Sequence, residues 1–210
     1  MTTRFIVVRH GETEWNVEAR VQGQLDSRLT ANGRAQALAI GKRLADEPFD
    51  LIVSSDLGRA MDTAEQIAAH RSIPILADAR LRERHFGVGQ GHTYEELDRK
   101  WPNVFSRAGH VDPDVVIPEG ETRRQFQERV RGAFESLARE HDGKRIAVVC
   151  HGGVLAALYR IIHAIPLVEA RSIPIANASY NAVAFEADAW AIEAWDDTAH
   201  LPGVVPFAES

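Results

Sequence analysis

Phe5-Ile6-Val7-Val8-Arg9-His10-Gly11-Glu12 is the stretch that decides how this chain folds. Four apolar residues in succession, three of them β-branched, predict a strand buried on both faces, as inside a parallel sheet. The chain then turns polar at once. In an open α/β sheet ligands bind beyond the carboxyl ends of the strands, so Arg9 and His10 stand where they serve packing poorly and chemistry well.

A second stretch repeats the arrangement: Ile146-Ala147-Val148-Val149-Cys150 runs straight into His151-Gly152-Gly153. If the two strands are neighbours, both histidines meet in one crevice. Between them, Asp50-Leu51-Ile52-Val53 reads as a short buried strand. Ser54-Ser55-Asp56 supplies a cap for a helix carrying Leu57, Met61, Ala64, Ile67 and Ala68, with Arg59 in its first turn.

The other elements follow from periodicity and turn chemistry. Thr30 caps a helix whose apolar positions are Ala35, Leu38, Ala39 and Leu44, ending near Asp46-Glu47-Pro48. Ile73 to Leu76 reads as a third strand. From Leu81 to Gly120 the pattern is irregular, with Gly87, Gly89 and Gly91, a Thr93-Tyr94-Glu95-Glu96 capping box, and Pro102, Pro113 and Pro118. Such a segment is a candidate lid or specificity region. A long helix is expected from Glu121 to His141, another from Gly152 to Ala164, and a final hairpin from Asn177 to Ala187 and Trp190 to Trp195. Alternating strands and helices imply a three-layer α/β/α sandwich with a mainly parallel central sheet. Its 210 residues suit one domain spanning 1–210.

Composition narrows the function. With 45% hydrophobic and 26% charged residues the chain is an ordinary globular one. A net charge of −6 argues against nucleic acid and anionic membranes as partners. The single cysteine, Cys150, excludes an intrachain disulfide and fits a reducing compartment. Met1-Thr2-Thr3-Arg4 leads directly into the first strand with no apolar signal region, and no apolar run has the length of a membrane span. The expected location is cytoplasmic.

Four blocks, in order, resemble the histidine phosphatase superfamily, also called phosphoglycerate mutase-like: Arg9 to Asn16, Ser54 to Ala60, Leu81-Arg82-Glu83-Arg84-His85-Phe86-Gly87, and Val149 to Gly153. The resemblance runs from residue 4 to about residue 185 and implies the phosphoglycerate mutase-like form of the same three-layer fold. It implies phosphoryl transfer.

That reaction needs a nucleophile in line with the leaving group and fixed positive charge around the equatorial oxygens. His10 suits the first role, because a neutral imidazole has a free ring nitrogen, its other nitrogen being held by a backbone carbonyl near Gly11 or later. Arg9 and Arg59 offer forked donors, His151 adds a contact as a cation or a donor tautomer, and Gly152 and Gly153 let backbone amides approach. The resemblance makes Glu83 the acid that protonates the leaving oxygen and then deprotonates water, a role otherwise open to a surface salt bridge with Arg82 or Arg84. Asn16, Gln22 and Gly23 fall where the family has further phosphate contacts; Thr13, Arg84 and His85 are further candidates.

Other motifs fail on specifics. A cysteine phosphatase loop needs an Arg six residues after its Cys, but Ala156 stands there, so Cys150 reads as core. Gly87-Val88-Gly89-Gln90-Gly91 lacks the preceding strand and following helix of a dinucleotide site. No histidine pair has metal-helix spacing, so neither metal nor cofactor is expected.

Three functions remain: a phosphomonoesterase in which water attacks a phosphohistidine on His10, a 2,3-bisphosphoglycerate-dependent phosphoglycerate mutase, and a non-catalytic phosphate binder. The binder is disfavoured by the presence of His10, Arg59, Glu83 and His151. The mutases resembled here carry a longer insertion with an adjacent Arg-Arg pair, which Trp101 to His110 lacks, whereas Glu83-Arg84-His85-Phe86-Gly87 is close to the mutase version of its block. The hydrolase reading is favoured, with a small-molecule phosphate ester as partner and a monomer or homodimer as assembly.

Overall fold

The computed structural model of the chain describes residues 1–102, 112–169 and 173–201. Its six-stranded sheet has the order β3-β2-β4-β1-β5-β6. Strands β1 (Thr3–Arg9), β2 (Leu51–Ser54), β3 (Ile75–Ala77) and β4 (Arg145–Cys150) run parallel, while β5 (Tyr180–Glu186) and β6 (Ala189–Asp197) form an antiparallel hairpin at one edge. The sheet is therefore mostly parallel, as the continuous apolar runs predict.

Alternation along β1 explains the three layers. Phe5 and Val7 point to one face, where they join Phe134, Val154 and Leu158 from α5 (Arg123–Glu140) and α6 (Gly152–Ile162). Ile6 and Val8 point to the other and meet Ile40, Ala64 and Ile67 from α2 (Ala31–Arg43) and α3 (Gly58–Ala68). Both sides of the strand are dry, which is why its sequence shows no polar alternation.

Two local expectations need correction. In α2 the buried positions are Gly33, Gln36, Ala37, Ile40 and Gly41, whereas Ala35 and Leu38 are exposed. The buried stripe is built partly from glycines that allow close approach: a Cβ on Gly33 would run into the Glu12 backbone, and one on Gly41 into the Gln66 carbonyl. The N-cap of α3 is Leu57 with no side-chain cap bond. Its first amides go instead to Asp26, whose Oδ2 accepts from Gly58 N–H and whose Oδ1 accepts from Arg59 N–H at 3.3 Å. A carboxylate from another loop therefore satisfies the helix start.

The irregular segment is anchored to the main body. Thr93 and Glu96 form the expected capping box at the start of α4 (Tyr94–Lys100), and Leu97 and Ile117 pack on Val21 as a small satellite core. Val21 N–H donates to His92 O at 2.9 Å, Gly91 N–H to Val21 O at 2.8 Å, and Arg20 Nη1 to Gly91 O at 2.9 Å. The stretch Trp101 to His110, judged short and lacking an Arg-Arg pair, lies outside the described residues from 103 onward. Among the described residues no helix is long and apolar enough to cross a membrane.

Candidate active site

Strand register creates the site. β1 and β4 pair with Arg9 opposite Cys150, so His10 and His151 leave adjacent strands at the same level, their ring centroids 5.2 Å apart. β2 lies on the other side of β4 and delivers Ser55 and, through the first turn of α3, Arg59. Arg9, His10, Arg59 and His151 are all buried.

His10 is held in one tautomer. Its Nδ1–H donates to Gly11 O at 2.8 Å, which leaves a lone pair on Nε2, and Arg59 Nε–H points at that lone pair from 3.3 Å. Burial, then the charges of Arg59 and Arg9, hold the His10 pKa well below its ordinary value, with the Gly11 bond pulling weakly the other way. Gly11 is fixed in turn, its N–H bonded to Thr63 Oγ1 at 3.1 Å, while Thr63 donates to Arg59 O at 2.9 Å. From the edge hairpin side, Asn177 Nδ2 donates to His10 O at 2.9 Å.

His151 is neutral as well. Burial, then the charges of Arg59 and Arg9, lowers its pKa well below the usual value, so of the two forms expected for it the donor tautomer is the one that fits. Its Nε2 lies 2.8 Å from Ser55 Oγ, and its Nδ1 is buried with no hydrogen-bond partner.

Arg59 is surrounded by oxygen. It donates from Nη1 to Leu25 O at 2.8 Å and to Asp26 Oδ1 at 2.9 Å, and from Nη2 to Gly23 O at 2.8 Å. Gly23 sits at φ +56°, which places its carbonyl where the guanidinium needs it. Arg9 donates from Nη1 to Ile175 O at 2.7 Å, and its guanidinium lies beside Gly152, in ordinary contact range of a Cβ placed there.

Glu83 reaches this cluster from the irregular segment. Its Oε2 accepts from Gly153 N–H at 2.8 Å and its Oε1 from Arg84 N–H at 2.7 Å. A Cβ on Gly153 would strike the Glu83 carboxylate and displace it. Arg82 pairs with Asp56 at 2.5 Å, and the Arg84 guanidinium donates to Glu121 O at 3.0 and 2.8 Å. The Glu83 backbone is braced by Arg129, which donates to Arg82 O at 2.9 Å and to Glu83 O at 3.2 Å while bonding both Glu121 oxygens at 2.7 Å.

The remaining candidates divide. Gln22 Oε1 is buried with no hydrogen-bond partner, as an atom meant for a ligand would be. Asn16 Oδ1 accepts from Thr13 N–H and Thr13 Oγ1, at 3.1 and 3.0 Å, so Asn16 and Thr13 together cap the one-turn α1 (Glu14–Val17). Cys150 is buried core, and burial pushes its thiol pKa up. Among the described residues no three His, Cys, Asp or Glu side chains converge as a metal set. Sequence reasoning missed Ser55 as a partner of His151, together with Thr63, Asn177 and Arg129. No local pattern marks them, because each acts through a backbone or side-chain atom far away in sequence.

The profile of the histidine phosphatase superfamily (branch 1) matches residues 5–198, and this chain belongs to that family. Its relatives include the "Metal-independent phosphoserine phosphatase" of Arabidopsis thaliana, 40% identical over 206 residues, with 96% of this chain and 84% of the relative covered. The "Probable phosphoglycerate mutase GpmB" of Shigella boydii is 38% identical over 200 residues, covering 93% of each chain. Among solved structures, Bacillus stearothermophilus YhfR superposes with a TM-score of 0.86 at 34% identity, covering 94% of this chain and 98% of that one.

Proposed function

We propose that this chain is a metal-independent phosphomonoesterase that hydrolyses a phosphorylated small metabolite through a phosphohistidine on His10 Nε2. The observation that carries this reading is the state of His10: unprotonated, fixed in the Nδ1–H tautomer by Gly11 O, and presenting Nε2 between arginines. A nucleophile so prepared needs no base and no metal to generate it. Arg9, Arg59 and His151 supply donors around the transferring phosphoryl group. Glu83 protonates the leaving oxygen and then takes a proton from the attacking water, so one carboxylate serves both half-reactions.

The relative named a metal-independent phosphoserine phosphatase supports the hydrolase side of this reading. A relative named a probable phosphoglycerate mutase favours a second one, in which the phosphoryl group returns to a re-oriented substrate. One experiment separates them. With 3-phosphoglycerate, a trace of 2,3-bisphosphoglycerate and EDTA, the hydrolase releases phosphate with little 2-phosphoglycerate, and an acid-labile, base-stable phosphoenzyme forms that is lost in His10→Ala. Rapid isomerisation without phosphate release identifies the mutase, and label retained on His10→Ala refutes the nucleophile.

A further inference from the structure

Ser55 and His151 are both fully buried, so the protons between them can be counted. β2 ends at Ser54, and Ser55 N–H extends its pairing with β4 by donating to Val149 O at 2.9 Å. The Ser55 carbonyl accepts from Ser54 Oγ at 2.8 Å, which holds the residue from its other side. Its hydroxyl is thereby set beside the imidazole, Oγ 2.8 Å from His151 Nε2. A hydroxyl has one proton to give and two lone pairs. Ser55 Oγ already accepts from Leu57 N–H at 3.4 Å, and among the described residues its proton has no acceptor other than His151 Nε2.

Two arrangements are open to the pair, and they differ in how many polar groups they strand. If Nε2–H donates to Oγ, the buried hydroxyl proton has nothing to bond and Nδ1 keeps a bare lone pair. If Oγ–H donates to Nε2, the ring proton sits on Nδ1 and only that N–H is left over, since Nδ1 is buried with no hydrogen-bond partner. Each stranded buried group costs the desolvation that a lost hydrogen bond costs, so the second arrangement wins. Its leftover N–H lies on a ring 5.2 Å from that of His10, in surroundings made electropositive by Arg59 and Arg9. The acceptor that suits an N–H among guanidinium groups is the oxygen of an anion.

We propose that Ser55 is a positioning residue for phosphoryl transfer: its hydroxyl holds His151 in the Nδ1–H tautomer, so that the imidazole presents a neutral N–H to an oxygen of the phosphoryl group carried at His10. This rests on the phosphomonoesterase reading above for the place of that oxygen. Ser55 acts through His151 and does not itself meet the substrate. The two histidines carry their proton on the same nitrogen and are given opposite duties by their neighbours. In His10 the Gly11 carbonyl covers Nδ1–H and bares Nε2 as a nucleophile, whereas in His151 the Ser55 hydroxyl covers Nε2 and bares Nδ1–H as a donor.

The test reads the tautomer directly. In protein labelled with ¹⁵N at histidine, two-bond proton–nitrogen correlation spectra at neutral pH should show His151, assigned by its absence in His151→Gln, with Nδ1 protonated and Nε2 bare. The opposite tautomer, or an imidazolium, in the unaltered protein overturns the proposal whatever the variants do. In Ser55→Ala the His151 signals should move towards a mixture of tautomers, and in Ser55→Thr, which keeps the hydroxyl, they should return. Orthovanadate, measured by calorimetric binding, should bind Ser55→Ala about tenfold more weakly than the unaltered protein and bind Ser55→Thr nearly as well as the unaltered protein, with kcat/KM on p-nitrophenyl phosphate following the same order. A tautomer unchanged in Ser55→Ala, or vanadate binding unchanged there, overturns the role of Ser55. The spectra and the vanadate binding decide the matter even if no ester is hydrolysed, whereas hydrolysis of p-nitrophenyl phosphate by a protein whose His151 carries its proton on Nε2 refutes the role of Ser55 and leaves the esterase reading standing.

Discussion

The floor of the crevice and its wall are built by different means. On the floor, His10, His151 and Arg59 issue from adjacent parallel strands or the turn after one, and each is tied by bonds to main-chain oxygens or to side chains in the core. The wall that carries Glu83 has no strand beneath it. It is suspended from side chains, with Arg129 donating to the Arg82 and Glu83 carbonyls and Gln24 Nε2 reaching Glu83 O at 3.3 Å. Strand register sets the floor to a fraction of an ångström, whereas a wall hung from arginines can be altered one substitution at a time. The division would suit the proposed phosphomonoesterase, its phosphoryl chemistry on the floor and its leaving group against the wall.

The comparison breaks most visibly at Glu83. Glu83→Gln should slow alkyl phosphates by about 10²–10⁴-fold and p-nitrophenyl phosphate far less, because its leaving group scarcely needs a proton. Steady-state rates on both substrates decide it, and equal losses would make Glu83 a structural part of the floor. A smaller effect is expected where floor and wall touch. Gly153→Ala drives a methyl group against the Glu83 carboxylate and should cost alkyl esters about 10²-fold by displacement alone. Phosphoenzyme formation from p-nitrophenyl phosphate, followed by rapid quench, should survive the change, since His10 and Arg59 are untouched by it.

The smallest effect concerns the floor itself. Both buried imidazoles have folded pKa values below the ordinary 6.5, so below that pH the unfolded chain takes up protons that the fold refuses. Their contribution to stability is complete above about pH 6.5 and is lost as the pH falls towards the folded values. Each adds a slope of up to about 1.4 kcal/mol per pH unit. Denaturant unfolding between about pH 5 and 6.5 should show a shallower acid loss in His10→Ala than in the unaltered protein, and identical slopes would mean that His10 is charged in the fold.

What could be read from the sequence follows the same division. The floor was legible because a buried parallel strand writes itself as an unbroken apolar run and a polar pair at its end has nowhere else to be. The capping box at Thr93 is local chemistry and is equally visible. The buried face of α2 was misread because Gly33, Gln36 and Gly41 do not look apolar, although Gln36 is buried with Oε1 accepting from Glu12 N–H at 2.8 Å. Asp26 as the partner of the α3 start, and Arg129 as the brace of Glu83, depend on loops meeting across tens of residues, which no window of sequence records.

The oxygens around Arg59 bear on how the reaction ends. Gly23 O, Leu25 O and Asp26 already occupy most of its donors, so in the proposed reaction an arriving phosphate would compete for them rather than find them vacant. The same oxygens reclaim the guanidinium when inorganic phosphate departs. Hydrogen bonds exchanged in this way contribute little net affinity to a ligand. On the phosphomonoesterase reading proposed above, the loop from Gly23 to Asp26 would limit product inhibition, loosening the grip on free phosphate while leaving Arg59 Nε–H aimed at His10 Nε2.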